Sequence, residues 1–330
     1  MSSSLGVVAG IDEAGLGPLL GPLTMGVAAF RVPAGRAEAD LWDLLKAAVC
    51  DQRPSDDRLW IADSKAVFQR TAKGFARLET TVLASLAQLD AFGRAPVSAA
   101  DLLACGPGPF QTAAKDLAEH PWYGELPADL PSAADALDVQ RQARRLGEAL
   151  QTSGVTLLEA GLRLLPAAAL NRSFDATGSK SRTAWDQVAL ALGALWRDHG
   201  EEGVLAWVDR QGARKRYGPL VGEICPGARV EILRETDTDC AYRLSHGTRH
   251  MELRFMVRAE ERALPVALAS CLAKYGRELA MEAFNAYFAA LSPELKPTAG
   301  YVTDARRWLR DAESTLAAAD LAPRTLVRER

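Results

Sequence analysis

Residues 10–18 read GIDEAGLGP, in which Asp12 and Glu13 are adjacent between glycines and are followed by a proline. The preceding run, LGVVAG, is apolar, which is typical of a buried strand. A second apolar run, LTMGVAAFRV, follows the glycine-proline stretch and indicates a returning strand. The sequence therefore predicts that the two acids lie at the end of a central strand, beside a tight loop.

The composition of the 330-residue chain favours a cytoplasmic protein. Of its residues 48% are hydrophobic, no stretch approaches the ~20 apolar residues of a membrane span, and the first residues lack a secretory pattern. Five cysteines stand singly and are odd in number, which indicates reduced thiols rather than disulfides or structural zinc. The net charge of −3 means that a polyanion would need a local basic patch.

The patterning along the chain divides it into a discontinuous main domain, 1–91 and 153–330, and an inserted subdomain, 92–152. The inserted part is rich in prolines and turns and ends in an amphipathic helix. Within the main domain, 226–256 alternates as antiparallel strands do and is read as a strand-rich insertion. Further predictions are a helix followed by a strand over 70–91, a strand ending in Asp209, a long helix over 265–291 and a helical segment near the C-terminus.

The adjacent acids have two readings. Neighbouring residues on a strand point to opposite faces, but at a strand end beside glycines the backbone can turn and bring both acids to one cleft. Carboxylates that converge repel one another unless a divalent cation neutralises them, and oxygen ligands suit magnesium or manganese. An acid pair beside glycines is as often a solvated turn, and the residues alone leave that alternative open.

Six segments in one order resemble the type 2 ribonucleases H, that is, ribonuclease HII and its relatives. They are AGIDEAGLGPLLGP, ADSK, AWVDRQG, LASCLAKYGRELAM, GYVTDA and PRTLVR. The resemblance leaves out 92–152 and 226–256. It implies an α/β fold, a ribonuclease H-like mixed sheet flanked by helices, with an inserted subdomain and a C-terminal helical segment.

The resemblance also implies a metal site. Asp12, Glu13 and Asp209 match the family's first three metal-binding acids. The fourth position, directly after Arg277, is an aspartate in the family and Glu278 here; Glu260 is the alternative fourth acid. The implied cofactors are two Mg²⁺ or Mn²⁺ ions, with the acids as ligands and no side-chain nucleophile.

The implied substrate-binding residues lie in the same motifs or beside them. In the family the loop equivalent to 15–17 reads glycine, arginine, glycine, and its backbone helps to sense the ribose 2′-hydroxyl; Leu16 replaces the arginine here. The family's tyrosine beyond the later loop has no equivalent in LRDAESTLAAA. The predicted substrate-binding residues are Gly15, Leu16, Gly17, Lys65, Arg214, Lys215, Lys274 and Tyr301.

Together these features predict a monomeric, metal-dependent endonuclease that hydrolyses the RNA strand of RNA/DNA hybrids by a two-metal mechanism. The expected partner is therefore a nucleic acid and not a membrane. Two alternatives remain open: a nucleic-acid-binding protein of the same fold with weak or no hybrid cleavage, and a nuclease with an altered substrate such as structured DNA.

Overall fold

The computed structural model describes residues 5–90, 93–212 and 214–329. Residues 91 and 92, at the predicted boundary of the inserted subdomain, lie outside the described residues. The strands in the described ranges are β1 (Val7–Ala14), β2 (Leu23–Arg31), β3 (Val49–Cys50), β4 (Leu59–Trp60), β5 (Thr156–Leu165), β6 (Val204–Asp209), β7 (Arg229–Glu235), β8 (Asp239–His246) and β9 (Arg249–Met256).

The α-helices of the same ranges are α1 (Leu41–Leu44), α2 (Ser64–Val67), α3 (Ala72–Leu86), α4 (Ala99–Leu103), α5 (Ala114–Ala118), α6 (Ala136–Ser153), α7 (Ala167–Thr177), α8 (Lys180–His199), α9 (Gly218–Ile224), α10 (Leu264–Leu291), α11 (Val302–Asp311), α12 (Glu313–Ala318) and α13 (Pro323–Leu326). Short 3₁₀ turns cover Gly108–Phe110, Pro121–Glu125 and Ala259–Glu261. No helix in this part of the chain is both long and apolar enough to cross a lipid bilayer.

A mixed sheet forms the centre of the molecule. In the described residues its strands follow the order β5-β2-β1-β6-β9-β8-β7. Strand β2 is antiparallel to β1 and β5, whereas β6 runs parallel to both β1 and β9. Strand β1 is apolar until its acids because both of its faces are covered. The predicted α/β class, a mixed sheet flanked by helices, is confirmed.

Two long helices cover the sheet, α10 on one face and α8 on the other. Glycines let α10 approach closely, because a Cβ at Gly26 would lie 2.0 Å from the Ala269 carbonyl oxygen and one at Gly10 would lie 2.2 Å from Pro265 C. On the opposite face, the fully buried Trp185 of α8 joins the core formed by alternate residues of β1, β2, β6 and β9. The sheet is therefore held between these two helices.

The segment predicted as an inserted subdomain is helical, and its apolar side chains share the main core. Trp122, for example, packs edge-on against Phe284 of α10, with ring centroids 5.3 Å apart. Its helix α6 packs on α3, and α4 lies against β5. This segment therefore covers one side of the main domain.

A buried glutamate, Glu79 of α3, fastens the inserted segment to the core. Its carboxylate is fully buried and accepts hydrogen bonds from the N–H groups of Ser132, Ala133 and Ala134 at 2.7–2.8 Å. The hydroxyls of Ser132 and Tyr275 donate to the same carboxylate. Five donors thus replace the water that an ionised carboxylate would otherwise bind.

The stretch 226–256, which was predicted to be rich in strands, contains β7, β8 and β9. Strand β9 lies beside β6 in the central sheet, and β7 is the outermost strand on that side. Strand β7 carries an irregularity in its pairing between Ile232 and Arg234, and most of its side chains are exposed.

The prediction of a strand in the second half of 70–91 is wrong. Helix α3 runs through this region, capped by the Thr71 hydroxyl, which accepts from Gly74 N–H. The β-branched residues of this region fit the helix because the Thr80 hydroxyl donates back to the Ala76 carbonyl and Val82 is buried in the core.

Candidate metal centre

The sheet brings two of the predicted acids side by side. Strands β1 and β6 run parallel, and their last registered pair is Ile11 with Val208. The next residue on each strand is an acid, Asp12 on β1 and Asp209 on β6. Because alternate residues share a face and a Cβ at Gly10 would point at α10, both acids project toward α10.

Glu13 occupies the opposite face. Strand β1 stays extended through Ala14, with Glu13 opposite Met25 of β2, so the expected turn of the backbone at the acid pair is not present. The side chain of Gln211 lies close to Glu13 and offsets part of the rise in its pKa that burial and Asp209 cause. The side chains of Asp12 and Glu13 therefore lie on opposite faces of the sheet, at its edge where β1 ends.

Glu260 approaches Asp209 from the turn between β9 and α10. It lies on the 3₁₀ turn Ala259–Glu261 and is 8% exposed. The Ala259 N–H donates to Asp209 Oδ1 at 3.2 Å, which ties this turn to the end of β6. Asp209 and Glu260 line one cleft of about 380 Å³. Asp12, Glu13, Asp209 and Glu260 are called the carboxylate cluster below.

The members of the carboxylate cluster hold protons unusually tightly. Burial raises the pKa of Asp12 well above its ordinary value of 3.8, and the charges of Asp209 and Glu13 raise it further. Burial and Asp209 raise the pKa of Glu13 from 4.5 to about 7. Burial also raises the pKa of Asp209, against hydrogen bonds from backbone N–H groups, and the pKa of Glu260. The acids therefore repel one another and would be stabilised by a cation.

The donor atoms of the carboxylate cluster fit a hard divalent cation. All are carboxylate oxygens, which suit Mg²⁺ and Mn²⁺. One of them, Glu260 Oε2, is buried without a hydrogen-bond partner among the described residues. The carboxylate groups do not meet at one point: within 5–90, 93–212 and 214–329 no three His, Cys, Asp or Glu side chains form a group that could hold a metal ion.

Glu278, the predicted fourth ligand, lies elsewhere. Its Oε1 is 2.5 Å from Lys274 Nζ, and it lines a separate cleft of about 770 Å³ with Tyr301. The structure therefore places Glu260 in the carboxylate cluster and leaves Glu278 outside it.

The loop after β1, here called the glycine loop (Gly15–Pro22), has the special backbone that its glycines indicate. Gly15 has φ of +86°, and a Cβ there would lie 2.7 Å from the Arg277 guanidinium. Gly17 is exposed, with open space around its Cα. Leu16, in contrast, packs its side chain against the core on the α8 face of the sheet. The loop thus presents backbone rather than side chains to solvent.

Lys65 lies where its charge reaches the carboxylate cluster. It lines the cleft that holds Asp209 and Glu260, and its side chain is 84% exposed. Its positive charge offsets a small part of the rise that burial causes in the pKa of both acids. Asp63, whose carboxylate caps α2 and lies 3.9 Å from Lys65 Nζ, lines the same cleft.

The other predicted substrate-binding residues lie in several separate parts of the structure. Arg214 donates to the Ser181 hydroxyl at 2.5 Å, and Lys215 pairs with Asp237 at 3.0 Å. Lys274 lies 4.6 Å from the Phe68 ring centroid while it pairs with Glu278. Tyr301, at 50% exposure, lines the larger cleft.

Three residues near the carboxylate cluster escaped prediction, although each lies within or beside a motif. Asp63 stands in ADSK and Gln211 two residues after Asp209. Ser270 of LASC is buried beside Asp12, and its hydroxyl donates to Ser64 Oγ at 2.9 Å. Their positions in or beside the motifs could have identified these three residues, but their contacts with the carboxylate cluster depend on the fold.

Comparisons with known proteins give structural matches alone. No protein-family model and no curated protein matches the chain. Similar solved structures include the PCNA:RNase HII complex from Archaeoglobus fulgidus, which is 14% identical over 98% of this chain and 94% of that chain, with a TM-score of 0.42. Ribonuclease H2 from Pyrococcus horikoshii OT3 is 15% identical over 97% and 92%, with a TM-score of 0.45. Bst-RNase HIII in complex with Mn²⁺ is 14% identical over 99% and 67%, with a TM-score of 0.44.

Proposed function

We propose that this protein is a metal-dependent endonuclease that hydrolyses the RNA strand of RNA/DNA hybrids. The observation that carries the proposal is the carboxylate cluster at the ends of two adjacent parallel strands. Its acids have raised pKa values, and Glu260 Oε2 is buried without a hydrogen-bond partner in the described part of the chain. An open cleft beside the cluster supplies access for a substrate.

In the proposed mechanism, Asp12, Asp209 and Glu260 hold the cations from the α10 side, and Glu13 contributes from the other face of β1. Two bound Mg²⁺ or Mn²⁺ ions would supply an activated water and charge stabilisation at the leaving oxygen. Because burial raises the pKa values of these acids when no cation is present, metal binding would release protons. Glu278 is replaced by Glu260 as the proposed fourth ligand.

Residues outside the carboxylate cluster would bind and orient the nucleic acid. Lys65 is exposed at the rim and is proposed to bind a phosphate, while the glycine loop contacts the sugar-phosphate backbone through its amides. Tyr301 offers an exposed ring for stacking. The choice of an RNA/DNA hybrid rests on the six sequence motifs, because a hybrid combines 2′-hydroxyls and deoxyriboses in one duplex.

The test is cleavage of three labelled duplexes by the purified protein: an RNA/DNA hybrid, a DNA duplex with one ribonucleotide, and plain DNA. Each is incubated with Mg²⁺ or Mn²⁺. The wild type should cut the hybrid, and Asp12→Asn should remove the activity. Asp129→Asn, at an exposed aspartate of the inserted segment, is the matched control and should retain it.

The alternatives give different results in the same assay. Binding of the hybrid without cleavage by the wild type would indicate a nucleic-acid-binding protein of this fold. Cleavage of a branched or hairpin DNA in place of the hybrid would keep the metal chemistry and change the substrate. Sedimentation of the same preparation tests whether the protein is a monomer, and cell fractionation tests its proposed cytoplasmic location.

A further inference from the structure

Two buried arginines lie under the glycine loop. Arg277 of α10 is 2% exposed, and Arg328, which follows α13, is 4% exposed. Arg328 forms no ion pair with a carboxylate of the described residues, and its Nη2 has no hydrogen-bond partner there. Burial and the nearby Arg277 lower the pKa of Arg328. Burying this cation is costly, so its contacts must offset a large desolvation penalty.

The contacts of both guanidinium groups are carbonyl oxygens, most of them in the glycine loop. Arg328 Nε donates to Gly21 O at 2.8 Å, and its Nη1 donates to Gly15 O and Pro18 O. Arg277 Nη1 donates to Pro22 O at 2.6 Å, and its Nη2 donates to a carbonyl before α11. The loop therefore turns several carbonyl groups inward, onto positive charge.

The carbonyl groups that face the two arginines also fix the direction of the N–H groups that follow them in the loop. In a planar trans peptide the C=O of one residue and the N–H of the next point in opposite directions. Since Gly15 O faces Arg328, the Leu16 N–H points away from that guanidinium. The exposed Gly17 follows directly, with no atom within 4 Å of an added Cβ. The contact that holds Gly15 O thus also turns the Leu16 N–H away from Arg328.

Arg328 is itself fixed by the segment 323–329. Its N–H donates to Leu19 O at 3.0 Å, and Val327 forms a bridge with Leu20. Asn171 of α7 accepts from Glu329 N–H and donates to the carbonyl of Val327. The segment 323–329 is therefore bound to both the glycine loop and α7.

We propose that Arg328 is a positioning residue, which sets the glycine loop in its substrate-binding conformation and supplies positive charge beneath it. This inference rests on the proposed function for its substrate. It gives the chain a cation at the loop although position 16 is leucine. Arg328 acts through the loop backbone and does not itself touch the substrate.

The experiment compares Arg328→Met, Arg328→Lys and the control Arg324→Met. Arg324 belongs to the same segment but is exposed and pairs with Asp175 and Glu329 at the surface. Hydrogen exchange of residues 15–22 is measured on the free proteins. Hybrid affinity is measured in the Asp12→Asn background, and KM and kcat are measured with Asp12 intact.

Arg328→Met should accelerate exchange across residues 15–22 and weaken hybrid binding roughly tenfold or more, because hydrogen bonds from a charged donor are lost. The loss should appear in KM, with kcat changed by less than about twofold. Arg328→Lys keeps the charge but not the forked donors, so it should restore part of the affinity. It also serves as the test variant if Arg328→Met does not fold.

Unchanged exchange of the loop in both Arg328 variants would overturn the inference, as would a fall in kcat at constant KM. The control Arg324→Met should match the wild type in every measurement; equal effects would mean that the whole segment acts only on stability. If the wild type binds no nucleic acid, the proposed function fails together with the substrate role of Arg328. In that case the exchange measurement still decides whether Arg328 fixes the loop.

Discussion

Replacing Glu13 by glutamine should stabilise the metal-free protein at alkaline pH. The pKa of Glu13 is raised from 4.5 to about 7 in the folded state by burial and by Asp209. Between these two pH values the folded protein keeps a proton that the unfolded chain has lost, so the free energy of unfolding falls as pH rises through this window. Above pH 7 the penalty is complete and amounts to at most about 3 kcal/mol.

The assay is urea unfolding in EDTA at pH 4 and pH 8. Glu13→Gln should equal the wild type at pH 4 and exceed its free energy of unfolding by up to about 3 kcal/mol at pH 8. Adding Mn²⁺ at pH 8 should reverse the order, because the wild type gains more from metal binding. The exposed Glu294→Gln is the control and should show neither change. A Glu13→Gln protein that is no more stable than the wild type at pH 8 would refute the reasoning.

Three further predictions follow from the packing and from the acids. Glu79→Gln should lower the free energy of unfolding by about 3 kcal/mol in urea titrations, because the amide NH₂ of glutamine would face buried N–H and O–H donors that now donate to a carboxylate oxygen. Gly26→Ala should cost about 3 kcal/mol or more, since its Cβ would overlap a backbone oxygen of α10, whereas Gly108→Ala, with open space, should change stability by less than about 0.5 kcal/mol. In hybrid-cleavage assays Glu260→Gln should reduce kcat/KM by about 100-fold or more, and Glu278→Gln by only a few-fold. The opposite ranking would show that Glu278 of α10, and not Glu260, is the fourth metal ligand.

The parts of the fold that short-range pattern determines could be read from the sequence. The apolar run before Asp12 predicted β1, the strand ending at Asp209 is β6, and the periodic stretch 265–291 is α10. In each case neighbouring residues along the chain share one environment, so periodicity reports it directly. The apolar run before Asp12 also predicted that β1 is central in the sheet.

The fourth acid of the site could not be settled in this way. Glu278 was selected by its place in a helical motif, whereas Glu260 reaches Asp209 through a tight reversal between β9 and α10. That reversal depends on Arg258, whose φ is +58°. This conformation could not be predicted from the sequence, because arginine rarely adopts it. The Glu79 contacts were equally hidden, since their partners lie more than 50 residues away.

The outermost strand, β7, has a consequence for how copies of this protein meet. A free sheet edge exposes main-chain donors and acceptors on which another chain can add a strand and begin aggregation. Strand β7 carries alternating charges, Arg229, Glu231, Arg234 and Glu235, and its bulge interrupts the regular spacing that a docking strand would need. Edge-to-edge growth is therefore opposed at this border, even though Ile232 is exposed there.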